Sequence, residues 1–191
     1  MQTIIYILPE LFLSLAIMFL LVTGVFIKNS YKIVNLLTLI TLVFVTALVL
    51  NQSNDVVKIF NESYIIDQLS IYMKALTLLF CFLALMLSKD YIKCNGIDKI
   101  EYPIIILGST LGMIIMISSY DLMVFYLGLE LQSLCLYILA SFKKDQEKST
   151  EAGLKYFVLS ALASALLLYG CSLVYGFTSS TNFEVISETL N

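Results

Sequence analysis

The sequence has 191 residues, is 60% hydrophobic and 13% charged, and carries a formal net charge of −3 with mean hydropathy +0.93. A soluble domain is about 45–50% apolar, so this composition specifies a membrane protein with little room for an extramembrane domain. The net charge is too small to specify nucleic acid as a partner.

Every basic residue is a lysine, because the chain has no Arg and no His, and it also lacks Trp. Without His, the commonest group titrating near neutral pH is missing, which leaves carboxylates and lysines as the proton carriers. Cys81, Cys94, Cys135 and Cys171 are widely spaced and form no C-x-x-C pair. They read as small core residues. The first residues lead directly into an apolar run without a basic n-region, so no targeting segment is expected.

A membrane-spanning helix needs about 20 mostly apolar residues, and the runs are taken in chain order on that basis. The first, 4–27, carries Pro9 and Glu10 near its start, where a proline is tolerated and a carboxylate reaches the interface. The second, 33–50, opens into a polar, net-acidic loop up to Asp67. The third, 69–87, holds Lys74 little more than a turn inside, from where the side chain can snorkel.

A charged connection, 88–101, precedes the short fourth span, 102–118, in which Gly108 and Gly112 form a small-xxx-small pattern that lets helices approach closely. Asp121 is placed to cap the fifth span, 122–140. Ser149 or Thr150 is predicted to cap the sixth, 153–175, and Lys155 in its first turns can pair with Glu151 at i, i+4. The stretch Ser160-Ala-Leu-Ala-Ser-Ala165 offers small residues for close packing, and 177–191 read as a polar, net-acidic tail.

The fold class is therefore all-α and polytopic, with three helices in 1–101, three more in 102–176 and a polar tail on the outer side. If the spans alternate, Lys28, Lys32, Lys89, Lys93, Lys99, Lys143, Lys144, Lys148 and Lys155 share one side and Lys58 takes the other. The positive-inside rule then places both ends of the chain outside.

The candidate functional residue is Glu130, near the middle of the fifth run. A charge at a helix centre costs roughly 2.5–3.5 kcal/mol on insertion scales, and such residues mark ion or proton paths by default. Residues three and four apart share a helix face, so Tyr126, Ser133 and Tyr137 form a polar seam with Glu130. The competing reading is structural, a carboxylate satisfied by a hydroxyl or lysine of a neighbouring helix. Lys155 and Lys74 are the secondary candidates for proton translocation. No metal cluster, phosphate loop or nucleotide motif is present in the sequence, so no bound cofactor is predicted.

Two segments, Ser119–Phe142 (SYDLMVFYLGLELQSLCLYILASF) and Ser149–Gly170 (STEAGLKYFVLSALASALLLYG), together with Leu8-Pro9-Glu10-Leu11 and Lys74, resemble subunit 2 of respiratory NADH:ubiquinone oxidoreductase, complex I. The resemblance extends over essentially the whole chain. It implies the N-terminal part of an antiporter-like inverted-repeat fold, in which members carry about fourteen helices with sites at interfaces formed by broken helices. It also implies membrane-arm subunits as neighbours, with NADH, FMN, iron–sulfur clusters and ubiquinone handled by other subunits.

In that family the glutamate matching Glu130 is coupled to a lysine of the seventh helix and to further lysines beyond it. Those positions lie past the six spans read here, so a separate chain supplying the remaining helices is expected as a partner, within the lipid bilayer. The alternatives are a subunit of a multisubunit cation/proton antiporter or membrane hydrogenase, and a purely structural fragment. The abundance of Ile, Leu, Asn, Tyr, Phe and Lys, a bias typical of AT-rich genomes, together with the expected lack of a targeting segment and the expected split, favours the mitochondrial inner membrane, with the lysine-rich loops toward the matrix. The bacterial cytoplasmic membrane is the alternative.

Overall fold

A computed structural model describes residues 5–26, 30–52, 55–94 and 96–190. Lys28 and Ile4, the predicted start of the first span, lie outside the described residues. The order of elements is α1 (Leu8–Phe26), α2 (Ser30–Leu50), β1 (Val57–Ile59), β2 (Tyr64–Ile66), α3 (Gln68–Cys94), α4 (Glu101–Ile117), α5 (Leu122–Ala140), α6 (Glu147–Thr178) and α7 (Phe183–Leu190). Five of these helices, α1, α2, α3, α5 and α6, are long and apolar enough to cross a membrane, and α4 is a shorter apolar helix of 17 residues.

The chain is a polytopic helical membrane protein. Its buried core comes mainly from α1 to α4, through Leu13, Leu20, Leu42, Val45, Leu78, Leu85, Leu107 and Ile114, with Ile59, Tyr64 and Ile66 added by the β1–β2 hairpin. The outward faces are just as apolar, with Leu159 at 68% and Phe177 at 87% exposure. A water-soluble surface does not carry apolar area on that scale. In lipid, burial of apolar side chains gives no net drive, so close packing must hold the helices.

That packing is tightest between α4 and α5. A Cβ added at Gly112 would stand 2.6 Å from the Gln132 amide nitrogen and 2.8 Å from the Gly128 carbonyl oxygen. One added at Gly128 would meet the Met116 nitrogen at 2.9 Å. The two glycines therefore let the backbones of α4 and α5 touch. A Cβ added at Gly108, one turn away, would meet the Cys135 thiol at 3.0 Å.

Several helix ends differ from the sequence expectation. α3 extends seven residues past 87, and α6 begins at Glu147 rather than 153 and has 32 residues. Lys89 and Lys93 in the first extension and Glu147, Lys148 and Glu151 in the second are good helix formers, so each helix continues out of the apolar run. The residue flanking the start of α6 is Gln146, without a side-chain cap bond, which corrects the expected Ser149 or Thr150 cap. Ser149 instead donates to the Ala140 carbonyl at 3.0 Å. Asp121 does cap α5, accepting from the Met123 and Val124 amides at 2.8 and 3.4 Å.

The polar loop after α2 holds an antiparallel hairpin, with Val57 opposite Ile66, Lys58 opposite Ile65 and Ile59 opposite Tyr64. Its turn runs through Phe60, Asn61 and Glu62, all left-handed at φ 54°, 52° and 63°. The hairpin docks on the start of α5: the Ile65 amide donates to the Ser118 carbonyl at 2.8 Å and the Tyr120 amide to the Ser63 carbonyl at 2.9 Å.

The chain after α6 completes this layer. The Leu122 amide donates to the Thr181 carbonyl at 2.9 Å, and Lys58 pairs with Glu184 of α7. That hydrogen bond holds the Lys58 ammonium above its ordinary pKa. The expected polar tail is thus a short helix tied to the hairpin. The cysteines are all free, and of the four Cys94 is exposed rather than in the core.

Candidate functional site

Glu130 sits on α5 facing α6 and is half-buried. Its Oε1 accepts a hydrogen bond from the Ser164 hydroxyl of α6, and Ser164 is also 2.9 Å from the Tyr126 hydroxyl. Tyr126 therefore joins Glu130 through a hydroxyl of the neighbouring helix. Tyr137 packs instead against Tyr156 and Phe157, with ring centroids 4.9 and 5.7 Å apart. None of the described hydrogen bonds joins Ser133 to Glu130. Ser164 enters the site although the sequence presents it only as one of the small residues at 160–165; its hydroxyl was the available signal.

Lys155 is not brought to Glu130. It lies on the exposed face of α6 and pairs with Glu151 at 2.6 Å, one turn away, as the i, i+4 spacing predicts.

Lys74 departs most from expectation, because it does not snorkel. Its side chain is fully buried, 0% exposed, and its Nζ lies 2.7 Å from Oε1 of Glu10 on α1. The Tyr64 hydroxyl of the hairpin donates to the same carboxylate oxygen at 2.7 Å and lies 3.2 Å from Lys74 Nζ. The hairpin closes the end of the bundle over this group, which removes the path to water that snorkelling requires. A carboxylate partner makes the buried ammonium tolerable. Burial, and after it the adjacent Glu10 carboxylate, raise the Tyr64 phenol far above its ordinary pKa, so it stays a donor.

Glu10 was expected at the interface, yet it is 5% exposed. Its second oxygen, Oε2, is buried without a partner among the described residues. Glu10 and Tyr64 also line a cavity of about 500 Å³ together with Ser14, Ser63 and Val124. A signal for the pair existed in the sequence: Glu10 and Lys74 are opposite charges, each placed shortly inside a span at the same membrane face. The described residues thus form two polar groups: Glu130–Ser164–Tyr126 between α5 and α6, and Glu10–Lys74–Tyr64 where α1, α3 and the hairpin meet.

A family model described as NADH:quinone oxidoreductase/Mrp antiporter, TM, matches residues 119–191, the segment that contains Glu130. NADH-quinone oxidoreductase subunit N of Pelagibacter ubique (strain HTCC1062) is 57% identical over 192 residues, covering 100% of this chain and 41% of the relative. The chain is a homologue of NADH-quinone oxidoreductase subunit N. The subunit N of Parvibaculum lavamentivorans is 45% identical over 184 residues, 96% of this chain and 38% of its own length. The homologue thus spans about two-fifths of the length of the curated relatives it matches.

Its fold agrees with a chain in "Respiratory complex I from Thermus thermophilus with bound Aureothin", with TM-score 0.78 and 29% identity over 91% of this chain and 38% of that one. A chain of the membrane-bound sulfane sulfur reductase, an archaeal respiratory membrane complex, matches with TM-score 0.79 at 20% identity, covering 95% of this chain and 39% of the other. At that identity the likeness is one of fold.

Proposed function

We propose that this subunit N homologue is a membrane-arm component of an NADH:quinone oxidoreductase and contributes part of a proton path driven by quinone reduction. The observation that carries the reading is Glu130, a carboxylate inside a membrane helix whose oxygen is held by a mobile-proton donor, the Ser164 hydroxyl, with Tyr126 next in line. Hydroxyls can accept and donate in turn, so the three groups suit proton passage between α5 and α6. The homology supports the assignment to a respiratory complex rather than to an unrelated transporter.

Lys74 with Glu10 forms a second proton-holding group in this reading, with the adjacent 500 Å³ cavity offering room for water beside the carboxylate. Lys155 takes no part in it. In this reading further membrane helices, of the kind the longer relatives have room for, pack against α6, and NADH, FMN, iron–sulfur clusters and ubiquinone belong to other subunits. The relatives named above are bacterial, which favours the cytoplasmic membrane over the mitochondrial inner membrane. The lysine-rich loops face the side where the chain is made.

The test is Glu130→Gln in the assembled complex, comparing proton pumping with NADH:quinone electron transfer. Normal assembly with reduced pumping supports the relay. Unchanged pumping in an intact complex removes it, and failure to assemble marks Glu130 as structural. Purification without flavin and iron–sulfur subunits would assign the chain to a cation/proton antiporter instead.

A further inference from the structure

We propose that the cleft between the start of α2 and the end of α3 binds one anionic phospholipid, headgroup against Lys32, Lys89 and Lys93 and one acyl chain in the groove that runs from it along the same two helices. The cleft has a volume of about 340 Å³ and is lined by those lysines with Tyr31 and Asn35. It lies at the end of the bundle opposite the hairpin and Glu10.

Three features of the cleft call for an anion. Lys89 and Lys93 are one turn apart on α3, a spacing at which like charges repel. Lys32 stands in the first turn of α2, where the helix dipole is already positive and free backbone amides accumulate. Among the described residues none of the three takes part in an ion pair. A phosphate between them would relieve both repulsions. Tyr31 adds a fourth group: it is 8% exposed, and its hydroxyl is buried without a hydrogen-bond partner among the described residues.

What lies below the cleft distinguishes a lipid from a free anion. Leu36 and Leu39 form its floor and are also the first residues of an apolar groove of about 460 Å³. The groove continues past Val43, Phe44, Phe82 and Met86 toward the middle of the two helices, in the direction an acyl chain takes from its headgroup. Basic pockets between membrane helices at the positively charged face hold anionic headgroups. Here the same two residues join the charged pocket to an apolar one, which a soluble phosphate has no use for.

The experiment is native mass spectrometry of the full chain in nonionic micelles, with equal amounts of palmitoyl-oleoyl phosphatidylglycerol and phosphatidylcholine. One phosphatidylglycerol should be retained in preference. A lysine near an anionic surface is worth about fivefold in binding, so the triple variant Lys32→Gln, Lys89→Gln, Lys93→Gln should lose a preference on the order of a hundredfold. Tyr31→Phe, which removes only the hydroxyl, should weaken it several-fold.

Val43→Trp, at an exposed position in the groove, should reduce retention of the long-chain lipid while leaving the lysines in place. Circular dichroism confirms that each variant is folded. Undiminished preference in the triple variant overturns the site. So does an equal loss in Lys143→Gln, Lys144→Gln, Lys148→Gln, which removes the same charge from the segment around the start of α6. Displacement of the lipid by millimolar inorganic phosphate, or full retention in Val43→Trp, would reduce the cleft to a simple anion site and overturn the lipid.

Discussion

Two lysine–carboxylate pairs of nearly equal geometry sit in opposite environments, and the difference sets their weight. Lys74 and Glu10 are 2.7 Å apart with side chains 0% and 6% exposed, whereas Lys155 and Glu151 are 2.6 Å apart at 71% and 62%. Removing one partner of a buried pair strands the other charge, at a cost of about 3–5 kcal/mol. Lys74→Met should therefore lower the unfolding free energy in mixed micelles by about that amount, and adding Glu10→Gln should restore most of it. Lys155→Gln should change it by no more than about 0.5 kcal/mol. Equal effects of the two lysines would refute the burial. Tyr64 gives the same group a pH signature. Its folded pKa is raised, so the phenol's contribution is complete below the ordinary value of 10.0 and is lost as pH rises above it. The stability advantage of the wild-type chain over Tyr64→Phe should therefore shrink above that pH, measured by unfolding at neutral and alkaline pH.

At the scale of elements, contact between α4 and α5 depends on missing side chains. A methyl at Gly112 would collide with the Gln132 and Gly128 backbones, atoms that cannot rotate away. Gly112→Ala should cost about 1–3 kcal/mol as an overpacked interface. Gly170 on α6 has nothing within 4 Å of its would-be Cβ, so Gly170→Ala should be neutral or stabilise by up to about 1 kcal/mol in the isolated chain. Detergent-titrated unfolding of both variants checks the contrast, and equal effects would mean the α4–α5 contact is not tight. The apolar spans, the cap at Asp121 and the small-residue pattern of α4 were legible because each is local: a run length, one side chain, a spacing of four. The hairpin was masked by the polar, acidic composition of its loop. Its period-two signal was present nonetheless, since Val57 and Ile59 and then Tyr64 and Ile66 alternate with other residues around Asn61-Glu62-Ser63. The Glu10–Lys74 contact spans 64 residues, and no local spacing encodes it.

At the scale of the whole molecule, α1 to α4 form a packed bundle, α5 is fastened to it by the glycine contact, and α6 lies at the edge. Only Gly153 and Cys171 of its 32 residues are buried, while Leu159, Leu162 and Leu166 remain 62–68% exposed. The Glu130–Ser164 bond lies at the α5–α6 junction, so the polar group proposed for proton passage borders the least covered helix of the chain. A site that needs a low-dielectric, water-restricted setting is not completed by such an edge, and burying a half-exposed carboxylate beneath another helix would strengthen its coupling to any lysine there. A further membrane helix of the assembled complex would therefore cover α6. A photoactivatable phospholipid that inserts into nearby side chains distinguishes this from a lipid-facing edge. In the isolated chain in bilayers, peptides containing Leu159, Leu162 and Leu166 should be labelled about as strongly as those containing Phe19 and Val22 of α1. In the assembled complex, labelling of the α6 peptides should fall several-fold relative to the isolated chain. If α6 stays fully labelled in a complex that pumps protons, no helix from another chain lies over the Glu130 group, and the path through it must be completed by residues of this chain alone.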